Sequence, residues 1–295
     1  MIRLLRSGFF IFLLLAASCC CSSQVRDSSF SFTMFPSGVH FTPLKANIKE
    51  ARIGIMKLLN QSNMKVDIGN SIDLVNYENR AEGVRYTAGI DFDGYALTDA
   101  YAGFRLQIDA LDGLFGGNVT ASKELEGSRL MARFRMLHHS AHYVDGHYSF
   151  DTGNWIDARY PSAFTRDFGE IILAKEDRLS TGLLKYYAGF SHAVLIRPVS
   201  LAREECLAGA EWSNGRLLSP CLDQPVTLYA AYQVTLMSAP AYVGANFIQA
   251  GVKFGTWNAK GAAFYVSYYS GPYPFGQYYD IRLESVGAGF MVDFF

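Results

Sequence analysis

The feature that most constrains this chain is an alternation of apolar and polar residues with a period of two, repeated in many separate runs. Val84, Tyr86, Ala88, Ile90 and Phe92 alternate with Arg85, Thr87, Gly89, Asp91 and Asp93. Ala102, Phe104, Leu106, Ile108 and Ala110 alternate in the same way with Tyr101, Gly103, Arg105, Gln107 and Asp109. The pattern returns at Ile248, Ala250, Val252 and Phe254, and again at Val286, Ala288, Phe290, Val292 and Phe294. Successive side chains of a strand point to opposite faces, so each run predicts a strand with one apolar and one polar face. Asp93-Gly94, Asp112-Gly113, the stretch from Asn258 to Gly261, and the Gly-Pro pairs between Gly271 and Gly276 read as turns. No amphipathic helix of useful length competes.

Such strands build either a soluble sandwich with its apolar face inward or a transmembrane barrel with its apolar face on lipid. Composition separates the two. Charged residues are 18% of the chain, below the roughly 25% of soluble domains. The polar faces carry Gly, Thr, Gln, Arg and Asp, and many of the 18 Tyr sit near strand ends, as in a barrel with a polar lumen and aromatic girdles. The chain also finishes on Phe294-Phe295, and outer-membrane barrels commonly finish on an aromatic residue. The expectation is an all-β, antiparallel transmembrane barrel in the bacterial outer membrane, with Arg85, Arg105, Asp109, Arg133 and Lys253 filling a narrow lumen. A formal net charge of -1 gives no reason to bind nucleic acid.

The predicted runs are 65–75, 84–93, 100–110, 114–121, 129–142, 163–174, 182–194, 204–212, 226–236, 244–255, 261–270 and 282–294, which makes about 12 strands. The short run 114–121 would reduce the count to about 10 if it does not cross. The strand-like stretch 51–59 is read as a periplasmic lead-in, because counting it would break the even number that such barrels need. With this topology Cys206 and Cys221 lie at opposite ends of the barrel and stay free.

Arg3 and Arg6 precede an apolar run from Gly8 to Ala17, and Ala16-Ala17-Ser18 supplies the small residues that a signal peptidase accepts. Residues 1–18 are therefore read as a signal peptide. Their apolar run, at about 10 residues, is too short to span a bilayer as a helix. Small residues before Cys19 resemble a lipoprotein signal, in which that cysteine is acylated; the alternative is ordinary cleavage nearby. Residues 19–50 are assigned to an N-terminal linker and periplasmic segment, and 51–295 to the barrel domain.

Three segments resemble the domain-of-unknown-function family 1207. They are Phe35-Pro36-Ser37-Gly38 with Phe41 to Ala46, Arg133 to Asp145, and Tyr269 to Tyr278. They run in order across nearly the whole mature chain, which departs from the family pattern at Ala141 and Gly146. The resemblance implies an outer-membrane barrel and carries no activity.

Four of the 6 histidines, His138, His139, His142 and His147, fall in one short stretch with Ser140 and Asp145. On one regular strand His138 and His142 are about 13 Å apart, too far to share an ion, so no metal or other cofactor is implied. Leu130, Ala132, Phe134 and Met136 form the apolar face of this strand, and His138, Ser140 and His142 continue its parity onto the lipid side. Residues two apart on one face lie about 6.6 Å apart, near enough for a histidine to serve as base to a serine. This His-x-Ser spacing resembles outer-membrane phospholipase A and the PagL-type lipid A deacylases. The resemblance implies Ser140 as nucleophile and His138 as base and carries no further residue over; the third member of those families falls near Thr152, where this chain departs from them, with Asp151 and Asn154 as near misses and Asp145 as another candidate. The competing reading is a polar girdle at the membrane interface, where such residues cost about 0–1 kcal/mol.

Three function classes follow: a lipid-acting ester hydrolase, a narrow channel, and a structural or interaction barrel. The implied partners are membrane lipids and, during biogenesis, the barrel-assembly machinery. Apolar faces turned outward predict extraction only by detergent and a folded form that migrates faster than the heated form on a gel. Recovery of a folded monomer in plain buffer contradicts the barrel.

Overall fold

The computed structural model describes residues 29–101, 105–237 and 241–294. The expected signal peptide and Cys19 lie outside the described residues. In chain order the strands are β1 (Phe30–Met34), β2 (Ile53–Leu58), β3 (Met64–Asn79), β4 (Val84–Tyr101), β5 (Arg105–Leu125), β6 (Ser128–Tyr143), the short β7 (Tyr148–Ser149) and β8 (Asn154–Trp155), β9 (Phe164–Leu179), β10 (Gly182–Arg197), β11 (Glu204–Asn214), β12 (Val226–Met237), β13 (Val243–Phe254), β14 (Gly261–Pro272) and β15 (Arg282–Asp293). Among the described residues helix is limited to single 3-10 turns at Asp145–His147, Ile156–Ala158 and Gly276–Tyr278.

β2 to β6 and β9 to β15 form a closed antiparallel barrel of 12 strands. The seam is made by β2, whose residues Ile53 to Leu58 pair with Val292 to Gly287 of β15 and whose Ile53 to Lys57 pair with Ile68 to Met64 of β3. β1 occupies the far part of the same β3 edge, Phe30 to Met34 against Asn79 to Val75.

The expected strand number is met by different strands. The stretch 51–59, assigned to a lead-in, contains β2 and closes the barrel. The runs 100–110 and 114–121 divide differently: 105–125 is one uninterrupted strand, and 100–101 belong to β4. Asp93-Gly94 and Asp112-Gly113 are not turns but paired positions inside β4 and β5, where Asp93 and Asp112 face the lumen. The two revisions cancel, so 128–143 is still the fifth barrel strand. Cys206 and Cys221 are free and exposed, one on β11 and the other in the connection 215–225 beyond its far end.

Polarity is inverted relative to a soluble protein. Ile68, Ile90, Phe92, Phe115, Phe134 and Leu173 are exposed on the outer wall, whereas Arg135, Lys185, Gln249 and Lys253 are almost completely buried inside. Only lipid makes that arrangement favourable, and a closed sheet is how strands satisfy their backbone in lipid. The chain is a transmembrane β-barrel of the bacterial outer-membrane type. The longest connection, 144–163, marks the external end.

The described part of the segment assigned to a periplasmic linker does not stay outside. After β1 the chain turns inward, and residues from His40 to Ala51 lie inside the barrel, all buried except the half-buried Ile48 and Lys49. The fit is electrostatic. His40 donates its backbone N–H to Asp73 (2.7 Å), and the Lys45 ammonium lies 2.9 Å from Asp293. Lys49 pairs with Glu205, and Glu50 takes both Arg133 and Arg135. Arg135 continues to Glu170 at 2.6 Å, so the network crosses the lumen.

Removing one partner of a buried ion pair costs about 3–5 kcal/mol, since the other charge is left unpaired. A Glu50→Ala substitution strands two guanidiniums and is expected to lower the denaturant midpoint of the detergent-solubilised barrel strongly. Glu50→Gln, which keeps an acceptor oxygen, should lower it less.

Candidate functional site

The register of β6 alternates without interruption. Arg133, Arg135, Leu137, His139 and Ala141 are buried inside, while Phe134, Met136, His138, Ser140 and His142 lie on the outer wall. Depth follows from the neighbours. Below, Leu130 sits between Lys123 of β5 and Lys175 of β9. Eight residues further up, His138 sits between Phe115 and Asp167, about 26 Å along the strand. At a tilt of about 40° this is some 20 Å of membrane depth, close to the roughly 25 Å apolar band of such barrels. The spacing puts His138 and Ser140 near the end of the apolar band opposite to Lys123 and Lys175.

Asp167 is the carboxylate on His138. It faces outward on β9, directly opposite in the ladder, and its Oδ1 lies 2.5 Å from His138 Nδ1. The His138 ring also packs on Phe115, with centroids 5.0 Å apart. Asp145 and Asp151, the carboxylates expected in that role, are not brought to His138. Asp145 is exposed in the 3-10 turn after β6, and Asp151 is exposed in the following loop. No hydrogen bond joins Ser140 to His138 among the described residues. Ser140 lies opposite Gly113 and Thr165, in ladders running along both edges of β6.

Asp167 escaped the sequence reading for a definite reason. The alternation in 163–174 already puts Thr165, Asp167 and Gly169 on the lipid face, so a charged residue on the wrong side of a strand was visible. The connection 144–163 hides the register that sets it against His138.

The other two histidines of the stretch belong to the interior. His139 Nε2 lies 2.8 Å from Asp112 Oδ2, which also accepts the backbone N–H of Gly276 at 2.8 Å. His147 Nδ1 lies 2.6 Å from Asp109 Oδ1, and the Tyr278 hydroxyl donates to the other oxygen at 2.5 Å. Both contacts hold the connection 273–281 down over the external mouth. Phe275 is buried against Tyr95, and Gly276 is required beside it: a Cβ there would stand 2.4 Å from the Phe164 ring and 2.7 Å from Ala141 Cβ. The barrel is thus filled from 40 to 51 and capped by 273–281.

No protein-family model matches the chain, and no curated protein matches it. Among solved structures it is similar to the beta domain of the Bordetella autotransporter BrkA, at 17% identity and a TM-score of 0.41, over 82% of this chain and 96% of that one. The Pseudomonas putida toluene transporter TodX is similar at 9% identity and a TM-score of 0.39, over 78% and 68%. Pseudomonas putida OprB at low pH is similar at 6% identity and a TM-score of 0.31, over 81% and 88%.

The connection 144–163 is tied to the cap by Arg159, whose two terminal nitrogens each donate to an Asp280 oxygen at 3.0 Å. That hydrogen bonding holds the Asp280 carboxyl below its ordinary value of 3.8. A carboxyl whose pKa is depressed on folding adds stability above its unfolded pKa and loses it as pH falls through the folded value. Amides of 156–163 and 276–281 should therefore exchange faster, after correction for intrinsic rate, at about pH 3 than at about pH 6. An Asp280→Asn variant should lose that difference.

Proposed function

We propose that this barrel is an acyl-ester hydrolase of the outer leaflet, with Ser140 as nucleophile, His138 as base and Asp167 as the group that orients the imidazole. The observation that carries the reading is the 2.5 Å contact between Asp167 and His138 at the depth of lipid esters. A carboxylate only accepts, so in the neutral ring Nδ1 holds the proton and Nε2 is left free as base. A rotation of the Ser140 side chain would bring its hydroxyl within reach, because the two residues are about 6.6 Å apart on one face. His138 then takes the serine proton, the alkoxide adds to the ester carbonyl, and the departing alcohol receives the proton from the imidazolium. Water releases the acyl group by the same two proton transfers in reverse order. Resemblance to outer-membrane phospholipase A and the PagL-type deacylases supports the His-x-Ser pair, with Asp167 in place of their third residue.

A second reading, a structural barrel without catalysis or conduction, draws support from the filled lumen. The ion pairs of Lys45, Lys49 and Glu50 fasten residues 40–51 to the lumen wall at three places.

Wild type, Ser140→Ala and Asp167→Asn, matched for heat-modifiable folding, are incubated with phospholipid and with lipopolysaccharide in parallel, and released fatty acid is measured. Loss of a general base or its serine should cost about 10²–10⁴-fold, with Asp167→Asn between that and wild type. If wild type releases nothing, or Ser140→Ala releases as much, the outer-wall residues are an interfacial girdle and the second reading stands.

A further inference from the structure

Asp93-Gly94 and Asp112-Gly113 make no turn, which leaves two glycines in mid-strand without a conformational reason. Neither has a positive φ, and the ladder between them is regular. Nor does crowding require them. A Cβ at Gly113 would meet nothing within 4 Å, and one at Gly94 would meet only the Ile68 carbonyl oxygen, at 3.8 Å. Gly116 is different, since a Cβ there would collide with the Met136 backbone. Glycine inside a strand costs stability; where no bulge, bend or neighbouring backbone accounts for it, the remaining reason is a ligand that comes close to the strand.

The two glycines lie beside Ser140 on the outer wall. Gly94 is paired with Gly113, and Gly113 with Ser140. The exposed rings of Phe92 and Phe115 border them on one side and lead to His138, on which Phe115 packs. Exposed Leu111 stands on the other side, and exposed Ile68, opposite Gly94, at the far end. The bare floor is a trough that starts at Ser140 and covers three strand spacings, about 14 Å.

The stagger of the barrel gives the trough its direction. Ladder pairs followed from Asn79, at the periplasmic end of β3, pass through Val84, Lys123 and Leu130 and then strand by strand to Val286 of β15. There Gly287 pairs with Leu58, and the adjacent Lys57 pairs with Met64, at the external end of β3. A line drawn across the strands thus climbs in chain order. The line from Ser140 back to Ile68 descends, into the apolar band.

Lipid tails are as apolar as the wall, so a site there is made by close packing, and a floor without Cβ atoms lets a ligand reach the backbone. We propose that the trough holds the acyl chain of the ester that Ser140 attacks, with the carbonyl at the hydroxyl and the methylenes lying over Gly113 and Gly94 toward Ile68. The inference rests on the hydrolase reading and adds its substrate class, esters of long unbranched acyl chains.

Gly113→Leu and Gly94→Leu fill the trough. Gly117→Leu is the control: it lies on the same face of β5 beyond Phe115, where a Cβ would meet only the Gly89 carbonyl oxygen, at 3.7 Å. Each variant, verified for heat-modifiable folding in detergent, is assayed on p-nitrophenyl palmitate and on p-nitrophenyl acetate. Both trough variants should lose about tenfold or more in kcat/KM on the palmitate, mainly through KM, and stay within about twofold of wild type on the acetate. Gly117→Leu should match wild type on both. Equal loss on the two esters, no loss on the palmitate, or the same loss in Gly117→Leu overturns the proposal. If wild type cleaves neither ester, the hydrolase reading fails and the trough is judged by binding alone. A phospholipid with ether-linked hexadecyl chains, which cannot be hydrolysed, is then titrated onto each protein and its retention followed by native mass spectrometry. Retention by wild type and Gly117→Leu, with loss in both trough variants, supports a site for the chain; equal retention in all four, or none, overturns it.

Discussion

A strand in hydrocarbon has no water to receive its N–H and C=O groups, so every strand must find a partner on each side. In this protein that requirement falls on β2. Its six residues join β15 to β3, and without them the sheet would present two open edges to lipid. A short strand does the work because β3 is long: β2 covers its upper part and β1 its lower part. The need to close the ring also explains why the stretch 51–59 cannot be a lead-in, although its effect on parity argued for that.

Once the sheet is closed with its apolar side outward, the inward side chains are committed to one another. Arg133, Arg135, Lys185 and Lys253 have no water to retreat to, and each is met by a carboxylate within the barrel. Part of that neutralisation comes from the wall itself, as Arg135 with Glu170. The rest comes from the chain before β2. Glu50, completely buried between two guanidiniums, reads on the sequence as one more residue of a polar linker; its partners are more than 80 positions away.

Periodicity carried much of the fold. The alternation on β4, β6, β13 and β15 put each side chain on the face where the structure has it, and the outward placement of His138 and Ser140 followed from parity alone. Pairs across strands were less legible. Asp167 meets His138 by a register set through a twenty-residue excursion, and Asp109 meets His147 through a bulge between Leu97 and Thr98 of β4 opposite Ala110 and Ile108. Dipeptides such as Asp93-Gly94 misled because their turn preference is local, whereas strand pairing on both sides decides whether the chain bends there. The inward passage of 36–52 had no period to announce it, since a segment that fills a lumen is irregular and is held by charge pairs with distant residues.

The interior segment has a consequence for the order of events in assembly. Lys45 is bonded to Asp293, 248 residues later, Lys49 to Glu205 on β11, and Glu50 to β6. A ribosome makes this stretch before any of its partners, yet it cannot reach its final contacts until the last strand is in place. Chains rich in contacts of such long separation fold slowly. Until the inner segment docks, Arg133 and Arg135 share Glu170 between them while Asp293 has Lys253 as a counter-ion, so the half-finished lumen carries an excess of positive charge along β6 that Glu50 later removes.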